Sequence, residues 1–145
     1  MRKVNSITIK FIAPVLMLML ILGLTSFVLF SPSPMAKSPK IVFSETKHDF
    51  GKVPQGPQIL YSFKFKNKGK ETLQIKDIVT SCGCTGATVG NKTEYEKNEI
   101  GEVSVTFNTQ GREGHQEKNI IVKSNDPFNP EVVLTIDCDI DTSIQ

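Results

Sequence analysis

Residues 59–66 alternate between a face of large apolar side chains and a mostly polar face, and this period of two constrains the fold more than any other feature. The same alternation returns in residues 103–108 and 131–140. A strand places successive side chains on opposite faces of a sheet, whereas a helix repeats its apolar positions every three or four residues. The three segments are therefore predicted to be β-strands, each with one face against a core.

Shorter segments have the composition of further strands, at residues 41–45, 50–53, 72–80, 85–89 and 118–124. In the third of these the alternation slips by one residue at Asp77, which predicts a β-bulge or a strand that changes its facing. Residues typical of turns separate the segments at 67–69, 111–114 and 125–130. About seven short strands in about a hundred residues predict an all-β fold, an immunoglobulin-like two-sheet antiparallel sandwich. The chain contains no Trp, so the Cys, Trp and Cys signature of antibody domains is missing.

Residues 11–30 form an apolar stretch without a charge. At about 1.5 Å of rise per residue, a helix of this length spans a hydrocarbon core of roughly 30 Å. Arg2, Lys3 and Lys10 precede the stretch with no acidic residue among them, which predicts a cytoplasmic N-terminus and a periplasmic or extracellular domain. The stretch is long for a signal peptide and no small-x-small cleavage site follows it, so an uncleaved signal anchor is favoured over a cleaved signal.

The predicted organisation therefore has four parts: a cytoplasmic N-terminus at 1–10, a transmembrane helix or signal anchor at 11–30, a Pro/Ser linker at 31–39 and a folded domain at 40–145. Removing the three N-terminal cations from the 17 Lys and Arg leaves 14 against 15 Asp and Glu, so the region from Lys37 onward has a formal charge of 14 − 15 = −1. A near-neutral domain without a stripe of cations gives no basis for nucleic-acid binding. No cysteine precedes Cys82, which excludes a lipid-modified N-terminal thiol.

The densest chemical motif of the domain is Ser81–Thr85, which reads SCGCT. Four interpretations of its two thiols stay open. In the first, both thiols are inert side chains of a tight loop around Gly83. In the second, the thiols bind a soft metal ion. In the third, the thiols cycle between dithiol and disulfide, although the spacing is not that of thioredoxin. Alternatively, one of them forms a disulfide with Cys138 and leaves the other free.

A soft metal ion is the interpretation that assigns particular ligands. Thiolate sulfur suits Cu(I) and Zn(II), and two thiols separated by one residue can point at one ion. The predicted ligands for copper or zinc are Cys82, Cys84 and His115, with His48 and Cys138 as further candidates. The alternation of the last strand places Cys138 on the apolar face, which favours a core thiol over an exposed ligand.

Three acidic side chains, Asp137, Asp139 and Asp141, share the polar face of the last predicted strand. The Gly and Glu of an EF-hand loop do not follow them, so a solvated face that also protects a sheet edge is favoured over a calcium site. Neither histidine lies in a Ser/His/Asp or Cys/His arrangement, and no glycine-rich phosphate loop occurs. The chain is therefore predicted not to be an enzyme.

Several short motifs in order along the chain resemble a bacterial family, the domain of unknown function 1573, which is similar to the Hydin-like and major-sperm-protein-like immunoglobulin folds. The motifs are FGKV at 50–53, FKFKNKG at 63–69, LQI at 73–75, SCGCT at 81–85 and residues 118–127. The resemblance covers residues 41–140 and implies a bacterial envelope protein of sandwich fold, with binding or scaffold modules among its wider relatives. Between Gly86 and Gly101 the family's Trp and its Pro-rich segment are absent, and Tyr95 stands where the aromatic residue goes.

Two functions are predicted from these features. The first is a non-catalytic, membrane-tethered interaction or scaffold module whose sheet face or edge strand docks another envelope or membrane protein, as an accessory subunit. The alternative is a metal or redox function at Cys82 and Cys84. The first predicts that the partner is kept when both cysteines are replaced by serine, whereas the second predicts bound metal or a reversibly oxidised pair.

Overall fold

The structure, a computed structural model, describes residues 37–144, which form nine strands. The strands are β1 (Ile41–Phe43), β2 (Lys47–Pro54), β3 (Gln58–Asn67), β4 (Leu73–Thr80), β5 (Thr85–Thr88), β6 (Glu94–Tyr95), β7 (Ile100–Asn108), β8 (Gly114–Ser124) and β9 (Glu131–Asp141). All the segments predicted as strands are strands in the structure. β8 begins four residues before the predicted segment, and the two-residue β6 was not predicted.

The strands form two sheets packed as a sandwich, in the orders β1-β3-β7-β5 and β2-β9-β8-β4-β6. This confirms the all-β, two-sheet, immunoglobulin-like fold. The prediction of a purely antiparallel sandwich was wrong in one place, because β2 pairs with β9 in parallel while every other described pair is antiparallel. Alternation determines which face a side chain occupies but not which strand lies next to it, so the parallel pair was not visible in the sequence.

The core consists of the apolar faces that the alternation predicts. Phe63, Phe65 and Phe107 from the four-stranded sheet meet Ile120 and Leu134 from the five-stranded sheet, and all are buried. Neighbouring strands of each sheet bring side chains of one face close together, so alternating apolar residues form a continuous interior surface. Burial of this surface is the main favourable contribution to the stability of the fold.

A β-bulge interrupts β4 where the sequence predicts it. Ile75 pairs with Ser124 and Asp77 pairs with Lys123, so Lys76 is an extra residue in the ladder with β8. Ile75 and Ile78 therefore both face the core although they are three residues apart, because the bulge absorbs one position.

The acidic residues of β9 do not protect an edge as predicted, because β9 lies inside its sheet between β2 and β8. They form part of an outward face where Lys47 Nζ lies 3.1 Å from Asp137 Oδ2 and 3.6 Å from Glu117 Oε2. The Asp137 hydrogen bond raises the pKa of Lys47 from its ordinary value. The face is a solvated network of opposite charges.

The predicted cytoplasmic N-terminus, the apolar segment of residues 11–30 and most of the linker lie outside the described residues, and these assignments stay predictions. Within residues 37–144 there is no helix long and apolar enough to cross a membrane.

Candidate functional site

The SCGCT motif forms the connection between β4 and β5, and its two cysteines are joined by a disulfide. The Cα atoms of Cys82 and Cys84 are 5.3 Å apart, which is an ordinary separation for a bridged pair. Cys138 is the free cysteine of the described chain. Of the four interpretations of the motif, the structure shows the pair bonded to each other, and it does not form the bridge to Cys138.

Backbone hydrogen bonds hold both ends of this loop against neighbouring strands. Ser81 N donates to Asn119 O over 3.0 Å, and Asn119 N donates to the Ser81 hydroxyl over 3.2 Å. At the other end Asn108 N donates to Cys84 O over 3.0 Å. The loop therefore continues the β4–β8 ladder at one end and the β5–β7 ladder at the other.

The disulfide closes a loop of only three residues, since the bonded cysteines are two positions apart. Its effect on the entropy of the unfolded chain corresponds to roughly 1.5 kcal/mol, compared with about 4.7 kcal/mol for a loop of a hundred residues. It links no two distant elements, so it stabilises the fold far less than a bridge between the sheets would.

The Thr85 hydroxyl lies beside both sulfurs, 3.4 Å from Cys82 Sγ and 3.8 Å from Cys84 Sγ. Neither sulfur of a disulfide carries a proton, so the hydroxyl is the only possible donor in these contacts. Thr85 is 5% exposed, and the hydroxyl therefore acts in a largely water-free position. This contact was not predicted, because the motif gives no indication of where the Thr85 side chain points.

Two cations lie next to the ladder partner of Thr85. Thr85 pairs with Phe107, and Lys118 Nζ and Arg112 Cζ lie 5.7 Å and 6.0 Å from the centre of the Phe107 ring. Lys118 comes directly before Asn119, which bonds Ser81. Both cations therefore lie near the buried ring that pairs with Thr85.

The third cysteine is an inert core residue. Cys138 is 2% exposed on the inner face of β9, as the alternation predicts. Burial, and then the charges of Asp137 and Asp139, raise the pKa of its thiol. Because thiolates and not thiols react, this side chain is protected from alkylation and exchange while the domain is folded.

The structure does not bring either histidine to the cysteines. His115 Nδ1 lies 3.4 Å from Asp137 Oδ1 and 3.5 Å from Asp139 Oδ1, on the outward face and about 13 Å along β8 from Asn119. His48 stacks on Tyr61 at a centroid distance of 3.4 Å, on a strand separated from β4 by two others.

Across residues 37–144, no three His, Cys, Asp or Glu side chains are grouped as metal ligands. The predicted copper or zinc site at Cys82, Cys84 and His115 concerns the reduced pair and stays a prediction.

A groove of about 240 Å³ opens between residues 75–78 of β4 and residues 87–89 at the end of β5. Its apolar part consists of the half-buried side chains of Ile78, Ala87 and Val89. β6 covers only Leu73 and Gln74 of β4. The groove was not predicted, because it arises where two different sheets approach and neither strand alone carries a signal for it.

β5 is an edge strand whose outward side is open among the described strands. Asn108 N bonds Cys84 O, and in an antiparallel ladder every second residue bonds the neighbouring strand. The backbone N–H and C=O of Gly86 and Thr88 therefore point to β7, whereas those of Ala87 point outward. On the opposite edge of this sheet, Ile41 N on β1 is occupied, because it donates to the buried Asp126 carboxylate over 3.0 Å. Such an open edge is a template for another strand.

Comparison with known sequences connects this arrangement to one family. Residues 41–140 match the family described as protein of unknown function (DUF1573), which confirms the resemblance seen in the motifs. Comparison with curated proteins finds no match. The description of the family assigns no activity.

Solved structures with the same fold come from bacteria and from man. A protein of unknown function from Porphyromonas gingivalis W83 has a TM-score of 0.65 and 18% identity over 76% of this chain and 50% of that chain. The ASH / PapD-like domain of human CEP192 has a TM-score of 0.58 and 13% identity over 76% of this chain and 92% of that chain. The Vibrio cholerae VesB protease has a TM-score of 0.58 and 13% identity over 70% of this chain and 32% of that chain.

At these identities the similarity shows the fold alone. This chain spans about half the length of the Porphyromonas gingivalis protein and about a third of the VesB protease. The comparisons therefore place the domain among immunoglobulin-like and PapD-like sandwiches and transfer no activity to it.

Proposed function

The chain belongs to the DUF1573 family, and we propose that it is a non-catalytic, membrane-tethered interaction module that binds an extended segment of another envelope protein along β5. The chain acts as an accessory subunit of that protein. The segment adds to the open edge of β5 as a further strand and buries its apolar side chains in the adjoining groove.

The open edge of β5 beside an apolar groove is the observation that carries this proposal. Backbone N–H and C=O groups at Ala87 supply hydrogen bonds for an added strand, while Ile78 and Val89 supply apolar contact for alternate side chains of that strand. Strand addition of this kind obtains affinity from main-chain bonds and specificity from the side-chain pockets. The partner segment is therefore expected to be extended, with an apolar residue at every second position.

Two observations support a position outside the cytoplasm on a membrane anchor. Residues 11–30 are uncharged and apolar, and Arg2, Lys3 and Lys10 precede them. The Cys82–Cys84 disulfide is typical of an oxidising compartment. The tether keeps the domain close to membrane-bound partners and so raises their effective concentration.

The test compares variants of the full chain purified from the native membrane in mild detergent, with bound proteins quantified by mass spectrometry. Ala87→Pro removes the outward N–H but leaves the β5–β7 ladder, since proline is tolerated at an edge when its nitrogen faces away from the sheet. Ala87→Glu keeps the N–H and places a charge in the groove. Both variants are expected to lose the protein that the unmodified chain retains.

Ala87→Ser is the matched control, because it keeps both the N–H and a small side chain, and it should retain the partner. Cys82→Ser combined with Cys84→Ser should retain it as well. Circular dichroism and thermal melting establish that each variant is folded. Retention of the same partner by folded Ala87→Pro and Ala87→Glu, or its loss in the double serine variant, would contradict the proposal.

A further inference from the structure

We propose that the Cys82–Cys84 disulfide is exchange-active, and that it accepts two electrons from a partner protein carrying a pair of thiols. Cys84 is the sulfur that the partner attacks, and Cys82 is the sulfur that leaves. This function is separate from strand binding at β5, and each of the two proposals can be correct without the other.

The disulfide can open without disturbing the strands. Its three-residue loop is held at Ser81 by Asn119 and at Cys84 by Asn108, through bonds that do not involve sulfur. Both cysteines belong to the same loop, so reduction releases no other element. The Cys82–Cys84 disulfide contributes little to the stability of the fold, yet it lies beside the Thr85 hydroxyl. A role in thiol–disulfide exchange explains this arrangement better than a role in stabilising the domain.

An incoming thiol has access to the loop. Both sulfurs belong to half-buried residues, and Gly83 between them is exposed. A Cβ placed on Gly83 would meet no atom within 4 Å, so the space over the loop is open. Access is one of the conditions that govern the rate of thiol–disulfide exchange.

The direction of opening follows from the Thr85 hydroxyl. It lies 3.4 Å from Cys82 Sγ but 3.8 Å from Cys84 Sγ, so the donor is closer to Cys82. A hydrogen bond to a charged acceptor is stronger than one to a neutral acceptor, so the contact strengthens as negative charge develops on the leaving sulfur. Cys82 is therefore the better leaving group, and attack at Cys84 is favoured.

The exchange is balanced in two steps. A thiolate of the partner attacks Cys84 Sγ, the Cys82–Cys84 bond breaks, and a mixed disulfide forms while Cys82 leaves as a thiolate and takes up a proton. The second thiolate of the partner then attacks its own sulfur in the mixed disulfide and releases Cys84, which is protonated in turn. The partner is oxidised to a disulfide, and Cys82 and Cys84 are reduced to two thiols.

No third thiol of the described chain competes in these steps. Cys138 is buried in the core, and the structure does not place it in the loop. The pair therefore exchanges electrons with an external dithiol rather than with another cysteine of its own domain.

Exchange is measured on the full folded chain in detergent, with dithiothreitol as the dithiol probe and alkylation with mass spectrometry as the readout. We expect Cys82 and Cys84 to become alkylated while Cys138 stays unlabelled and so reports that the domain is folded. Thr85→Val, which keeps the side-chain volume, should slow opening by roughly fivefold to tenfold. Thr106→Val, which removes a hydroxyl from the neighbouring β7, should open at the unmodified rate.

The assignment of the two sulfurs is tested with oxidised glutathione. Cys84→Ser leaves Cys82 as the free thiol, and because the Thr85 hydroxyl stabilises the Cys82 thiolate, this variant should form a mixed disulfide with glutathione at neutral pH about threefold faster than Cys82→Ser, which leaves Cys84 free. Reduction of the pair only under conditions that also label Cys138 would overturn the proposal. So would a folded Thr85→Val variant that opens at the unmodified rate, or equal rates for the two single serine variants.

Discussion

Asn67 organises one end of the sandwich through a side chain that is completely buried. Its Oδ1 accepts hydrogen bonds from Lys40 N and Gly69 N, over 3.2 Å and 2.9 Å. Its Nδ2 donates to Glu71 O and Tyr95 O, over 2.8 Å and 2.9 Å. One amide thus satisfies four backbone groups from three parts of the chain, and the bonds to Gly69 N and Tyr95 O are buried, where these groups would otherwise be left without a partner.

Asn67→Ala should lower the free energy of unfolding by about 3 to 5 kcal/mol, because it leaves two buried and two partly buried backbone groups unpaired at once. Urea denaturation measures the change. Asn119→Ala is the control, since the Asn119 side chain is exposed and bonds only Thr135 Oγ1, and it should cost less than about 1 kcal/mol. Equal losses for the two variants would show that the Asn67 amide is not the organising contact.

Cys138 makes the domain less stable at alkaline pH. Burial raises the pKa of its thiol above the ordinary value of 9.0, so the folded state holds a proton that the unfolded state releases. Its contribution is fully present below pH 9.0 and is lost as the pH rises through the folded-state pKa. The unfolding free energy of the unmodified chain should therefore fall more steeply above that pH than that of Cys138→Val, as measured by urea denaturation across the range.

The bulge in β4 adds one residue to the strand, so that both halves of β4 keep their apolar side chains on the core face. Lys76 is the extra residue, so deletion of Lys76 restores plain alternation and leaves Ile75 and Ile78 facing the core. We expect this deletion to cost about 1 kcal/mol. Deletion of Val79 is the matched control, because it turns Thr80 to the outer face and moves Ser81 away from Asn119.

Val79 deletion should therefore cost at least about 3 kcal/mol, since Thr80 changes face and the Ser81–Asn119 bonds are lost. Thermal and chemical denaturation of the two deletion variants give the comparison. A Lys76 deletion as damaging as the Val79 deletion would contradict the assignment of the bulge.

Elements with long apolar alternation could be predicted from the sequence, and those defined by their neighbours could not. β3, β7 and β9 carry their own pattern, and the slip at Asp77 predicted the bulge. β6 has two residues and exists because Leu73 and Gln74 pair with it, so no periodicity can show it. Likewise the SCGCT motif identified the loop, whereas the Thr85 contact and the groove beside β5 depend on chain segments that meet only in the folded domain.

The residues just before β1 contribute to the thermal stability of the domain. Lys68 N donates to Lys40 O over 2.8 Å, and Lys70 N donates to Ser38 O over 3.1 Å. A chain that begins at Lys37 should therefore melt within about 2 °C of the full chain, whereas one that begins at Ile41 loses these bonds and should melt several degrees lower. Differential scanning calorimetry of both truncated chains checks the result, and equal melting temperatures would contradict it.

The parallel pairing of β2 with β9 has a consequence for how the protein is made. β9 lies inside the five-stranded sheet, between β2 and β8, yet it is the last of the described strands to be synthesised. Domains dominated by pairings between distant segments fold slowly, because the loops must close before those contacts form. β2 and β8 must therefore wait until β9 has been synthesised before this part of the sheet can assemble. During that interval Cys82 and Cys84 can meet, because only one residue separates them, so oxidation of the loop can precede folding of the domain that carries it.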